Sequence, residues 1–190
     1  MRFRSRFVPL AAASLLCVAC ASPAGDTVDS KRESALRMEA DGLAALNRYS
    51  LAARDVVASA PGGYAVFSNF GAQILFIGGS GGYGVVRDAK DGKRTYMQMG
   101  GGALGLGLGA KDYYLVFAFH DRDVMQKFID GAWEFNARAD AAAKIGDTGG
   151  ASSGAASFRK PVDVWQITEG GLMLGITLDG VTFKKDPELN

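Results

Sequence analysis

An α+β fold is predicted by three features of the sequence. Two stretches of helical spacing precede residue 60. Fifteen of the 26 glycines then fall between Gly62 and Gly109, among β-branched and aromatic residues. From residue 122, apolar side chains return at helical spacing. Together they predict N-terminal helices, a curved glycine-rich antiparallel sheet or small barrel, and one long helix packed on it.

The chain opens with Arg2, Arg4 and Arg6 and no acidic residue, followed by an apolar run from Phe7 to Ala19. This is the layout of a secretory signal, and the run is shorter than the roughly 20 residues a helix needs to cross a bilayer. The run closes in Leu15-Leu16-Cys17-Val18-Ala19-Cys20. There the chain resembles the lipobox of bacterial lipoproteins, in which a cysteine after small residues becomes the lipidated N-terminus, so residues 1–19 are expected to be removed and Cys20 acylated. The alternative is an ordinary signal peptide cut after Ala19 or Ala21. Ala21 and Ser22 lack the aspartate that retains many lipoproteins at the inner membrane, and the resemblance implies the outer membrane, facing the periplasm.

Cleavage before Cys20 leaves one cysteine and no disulfide partner, so packing must stabilise the fold. It also removes three arginines and no acid, leaving eighteen basic against twenty acidic groups and a net charge of about −2. Nucleic-acid binding needs a clear basic surplus and is excluded as a function class.

Residues 20–30 are small and polar and read as a lipidated tether, and residues 31–190 suit a single domain. Ser30 is expected to cap the first helix, with Glu33 completing a capping box, and Leu36, Ala40, Leu43 and Leu46 on one face. A second helix is expected at about Leu51–Ser59, with Val56 and Val57 inward, stopping before Pro61. Short strands are expected near 63–68, 73–78, 82–88, 93–100, 103–109 and 112–119, with Asp91-Gly92 as a hairpin turn. In Gly105-Leu106-Gly107-Leu108-Gly109 one strand face lacks side chains, which lets another element lie close, while the leucines fill a core.

Asp121 or Asp123 can cap a helix over about 122–145, in which Val124, Phe128, Phe135 and Ala139 share a face flanked by Met125, Ile129 and Trp133. Gly146 would stop it. Residues 147–157 hold no core-forming side chain and read as a loop. Strands are expected again near 162–168, 171–178 and 180–184.

Gly79-Ser80-Gly81-Gly82-Tyr83-Gly84 satisfies the dinucleotide pattern G-x-G-x-x-G. That pattern works only where a helix N-terminus follows to receive the pyrophosphate, and Val85-Val86-Arg87 continues as strand. His120 is the only histidine. Its place between a strand and a helix suits capping or hydrogen bonding. With one histidine and one mature cysteine a zinc site lacks ligands, and Asp121 and Asp123 are accounted for as helix caps. The sequence therefore points to a non-catalytic domain without a cofactor. Basic residues gather at Lys90/Lys93/Arg94, Arg159/Lys160 and Lys184/Lys185. Each pair or triplet suits either a phosphate headgroup or an ordinary solvated turn.

The ordered set Gly63-Tyr64-Ala65-Val66-Phe67, Gly78 to Val85, Gly100 to Tyr113 and Gly170 to Gly180 resembles the SYLF domain family of lipid-binding proteins, over about 30–185. The resemblance implies a module that binds membrane phospholipid, as family members do with phosphoinositides and acidic lipids. The candidate contacts are Lys31, Arg32, Arg37, Lys90, Lys93 and Arg94. The expectation is therefore an envelope lipoprotein whose domain touches phospholipid. The alternative is a structural or adaptor lipoprotein that holds another envelope protein and has no lipid ligand beyond its own anchor.

Overall fold

The computed structural model describes residues 22–131, 161–168, 170–174 and 181–190, without the side chains of 70–80, 102–111 and 173. The element order is α1 (Val28–Tyr49), α2 (Leu51–Ser59), β1 (Gly63–Asp88), β2 (Arg94–Phe119), α3 (Arg122–Ile129), β3 (Val162–Thr168), β4 (Gly171–Leu174) and β5 (Val181–Lys185). The fold is α+β, with N-terminal helices against a curved antiparallel sheet. Its hydrogen-bonded order is β1-β2-β3-β4, with β5 on the β3 side of β2. The described pairings do not close it into a barrel.

α1 is capped three residues before the expected position. Thr27 is the N-cap: its hydroxyl accepts the Ser30 amide at 3.1 Å, and the Thr27 amide donates to the Ser30 hydroxyl at 3.0 Å. Ser30 thus closes the capping box that Glu33 was expected to close. The inward stripe differs from the expected one: Ala35, Met38, Glu39, Gly42 and Leu46 are buried, Leu43 is half-buried, and Leu36 and Ala40 are exposed. Small residues on that stripe let the helix lie close to the sheet. α2 occupies the expected residues, capped by Ser50 and burying Ala53 and Val57.

The six short strands expected from 63 to 119 are two continuous strands of 26 residues, paired along their length around the turn at Asp91-Gly92. A straight strand of that length would run about 85 Å, several times the roughly 15 Å radius of gyration of a 150-residue domain. The ribbon must curl, and glycines permit it. A Cβ on Gly84 would overlap the Phe67 ring, and one on Gly82 would overlap the Ser68 carbonyl, so the second half of β1 lies directly against its first half. Between Leu75 and Ile77 the register shifts, setting Phe76 opposite both Gly105 and Leu106, a β-bulge that sharpens the bend. The expectation that Leu106 and Leu108 fill a core lies outside the described side chains.

Two cores result. Inside the curl, Phe67, Phe117, Phe119, Phe128 and Phe183 join Met97, Met99, Leu115 and Met125, with Phe67 edge-on to Phe117, Phe128 and Phe183 at centroid distances of 5.8, 6.0 and 5.0 Å. Outside it, Val66, Val85, Val116, Ala118, Trp165 and Ile167 lie beneath α1 and α2.

α3 carries Met125, Phe128 and Ile129 into the inner core and is capped by Asp121. It ends at Ile129, where the Asp130 amide bonds back to Gln126 and Gly131 takes φ +70°. That left-handed glycine closes the helix well before the expected residue 145. Phe135, Ala139, Trp133 and the rest of that expected span lie outside the described residues, as does the loop at 147–157.

Candidate functional site

The polar centre of the outer core is Glu39, a carboxylate only 3% exposed on the inward stripe of α1. Burial of a lone carboxylate is costly, so both oxygens are occupied. The Tyr64 hydroxyl donates to Oε1 at 2.7 Å, and Arg94 Nε donates to Oε2 at 2.9 Å. Burial first, and the bond to Glu39 second, push the Tyr64 hydroxyl up to about 12. Arg94 and Arg87 face each other across the β1–β2 pair. Arg87 lies over the Tyr64 ring, with its guanidinium carbon 5.9 Å from the centroid. Next to it, Asp88 accepts from Arg122 at 2.7 and 3.0 Å and from the Lys90 amide at 2.8 Å. The Arg122 guanidinium above all holds that carboxyl below its usual value, against the opposing effect of burial.

The candidate lipid contacts divide by what they already hold. Lys31 donates to both Glu188 oxygens at 2.7 and 2.8 Å. Arg32 donates to the Leu189 carbonyl at 3.0 Å and lies over Tyr96. Arg37 bonds Glu33 at 2.8 Å on the same helix face, and Arg94 is committed to Glu39. Lys90 and Lys93, by contrast, project from the β1–β2 turn as exposed side chains, and among the described residues neither ammonium has an ion-pair partner. Asp88 and Asp91 accept their backbone amides instead, which shapes the turn and leaves the two side chains outward. Arg94 then ties this end of the hairpin to α1. Cys20, Arg159 and Lys160 lie outside the described residues.

His120 sits at the end of β2, with Nε2 2.9 Å from Asp163 Oδ2, and so links β2 to β3. Gly79 to Gly84 continue as strand through Asp88, so no helix N-terminus follows the G-x-G-x-x-G pattern. Among the described residues, no three His, Cys, Asp or Glu side chains lie together so as to hold a metal ion, and no helix is long and apolar enough to cross a membrane.

A cavity of about 290 Å³ opens between α1, α2 and the paired ends of β1, with Leu43, Leu46, Val57, Tyr64 and Arg87 in its wall and Arg54 beside them. Sequence reasoning missed this cluster. Its one available signal was Glu39, four residues after Ala35 and three before Gly42, an acidic residue on a stripe of small ones.

No family model matches the chain. Over 129 residues it is 32% identical to "Beta cell expansion factor A" of Aeromonas veronii, an alignment that covers 67% of this chain and 47% of that protein. The chain thus spans about half the length of the curated relative it matches.

Proposed function

We propose that the chain is an envelope lipoprotein of the SYLF type, anchored through lipid on Cys20, whose non-catalytic domain contacts membrane phospholipid. The observation that carries the domain's part is the β1–β2 turn. Four of the six candidate cations are engaged within the fold, while Lys90 and Lys93 stand exposed at one edge, without an ion-pair partner among the described residues. Each basic residue held near an anionic membrane contributes about 1 kcal/mol, which suits a net-acidic domain that touches headgroups locally and is retained by its anchor. The lipobox-like Cys20 and the ordered glycine strands support the same reading. A relative named as an expansion factor adds no ligand.

Two measurements test it. The intact mass of the mature protein extracted from the envelope should show an acylated Cys20 as the first residue; an unmodified N-terminus overturns the anchor. The mature chain carrying Cys20→Ser should co-float with phospholipid vesicles, and failure to bind either anionic or zwitterionic vesicles overturns the domain's part. In that event the adaptor alternative takes its place. Tyr49 and Leu51, exposed two positions apart where α1 meets α2, offer apolar surface that a protein partner would cover.

A further inference from the structure

The cavity between α1, α2 and β1 holds an unbalanced charge. Arg87 and Arg94 are cross-strand neighbours, and like charges directly opposite each other are destabilising. Glu39 compensates only Arg94. Arg54, at the wall, is paired with its neighbour Asp55, and Asp88 is turned to Arg122. Among the described residues Arg87 has no carboxylate partner, and its Nε is shut off from solvent without a hydrogen bond. A buried donor left unmade is costly, and Arg87 is one of the residues that line a cavity of about 290 Å³. Guanidinium is a planar fork matched to carboxylate and phosphate oxygens. Beside it the wall is apolar, formed by Leu43, Leu46 and Val57. A mostly apolar hollow with a few convergent polar groups is the usual form of a small-molecule site, and at about 290 Å³ this one falls just below the common range of about 300–1,000 Å³.

We propose that this cavity binds one small anionic amphiphile, with its carboxylate or phosphate on Arg87 and its alkyl portion against Leu43, Leu46 and Val57. The site takes a single molecule inside the fold and does not depend on the membrane contact of the β1–β2 turn.

Calorimetric titration of the mature Cys20→Ser chain tests it, with decanoate and decyl phosphate as probes and decanol and inorganic phosphate as controls. One molecule of decanoate or decyl phosphate should bind per chain, saturably. The tighter of the two identifies the source of the anion as a free fatty acid or a phosphorylated lipid. Affinity should fall at least tenfold in Arg87→Gln, which removes the charge, and in Val57→Phe, which fills the cavity while leaving the guanidinium. Far-ultraviolet dichroism establishes that each variant is folded, and if one is not, the other decides. No saturation with either probe, equal affinity for decanol or inorganic phosphate, or unchanged affinity in the folded variants overturns the proposal. Vesicle flotation that persists without decanoate or decyl phosphate binding would remove the cavity site alone.

Discussion

Arg94 Nε donates to Glu39 Oε2 at 2.9 Å, joining the first residue of β2 to the middle of α1 across 55 positions of sequence. The pair is asymmetric: Glu39 is buried, whereas the Arg94 side chain is 40% exposed. Loss of Arg94 strands a carboxylate in the outer core, while an amide in place of Glu39 leaves an arginine that can turn to water. Arg94→Ala should therefore cost about 2–3 kcal/mol and Glu39→Gln about 1 kcal/mol. Urea unfolding of both variants checks the order, and a larger loss for Glu39→Gln would contradict it.

Tyr64 sets an alkaline limit. Its folded pKa, about 12, stands above the ordinary 10.0, so the folded chain holds that proton more tightly than the unfolded one. The stability this contributes is fully present below about pH 10 and is lost as pH rises toward 12. Tyr64→Phe should flatten this part of the stability–pH curve between about pH 10 and 12. A curve of unchanged slope would contradict the role of the hydroxyl.

Asp88 acts at the other end of the scale. Its folded pKa is lowered from 3.8, chiefly by Arg122, so its contribution is present above that ordinary value and is lost as pH falls through the folded one. Asp88→Asn should lower stability at neutral pH and reduce the loss seen below about pH 4. Thermal melting across that range measures both.

Gly84 stands against the Phe67 ring, where a Cβ has no room. Gly84→Ala should destabilise by about 1–3 kcal/mol through overpacking of the inner core. In a Phe67→Leu background the added cost should shrink, because the ring it strikes is gone, and a double-mutant cycle measures that coupling. Strict additivity would mean that the two halves of β1 do not touch there.

Local signals in the sequence were legible where the chain answers to its neighbours. α2 stops before Pro61 as expected, Asp91-Gly92 marks the one described turn between long strands, and β3 occupies its expected residues. What local signals could not show was continuity. The glycines from Gly78 to Gly84 look like punctuation between short strands, yet they lie within one strand, in which Gly82 and Gly84 let the ribbon lie against itself. The helix faces were misjudged at α1 for a related reason. Leu36 is apolar but exposed, and Glu39 is charged but buried, since Arg94 and Tyr64 arrive from distant strands to satisfy it. In the sequence the candidate contacts are equivalent basic residues. Only the folded chain separates the engaged Lys31, Arg32, Arg37 and Arg94 from Lys90 and Lys93, which have no ion-pair partner among the described residues.

The β1–β2 turn supplies the most direct test of the proposed function. Flotation of the mature Cys20→Ser chain should be compared with the same chain carrying Lys90→Glu and Lys93→Glu, on anionic vesicles at low salt. Reversal of two surface charges should weaken vesicle binding at least tenfold, at about 1 kcal/mol for each lysine lost and more for its inversion, and should leave the melting temperature unchanged. Equal flotation of the two chains, or no flotation of either, would contradict the assignment of this turn as the membrane contact.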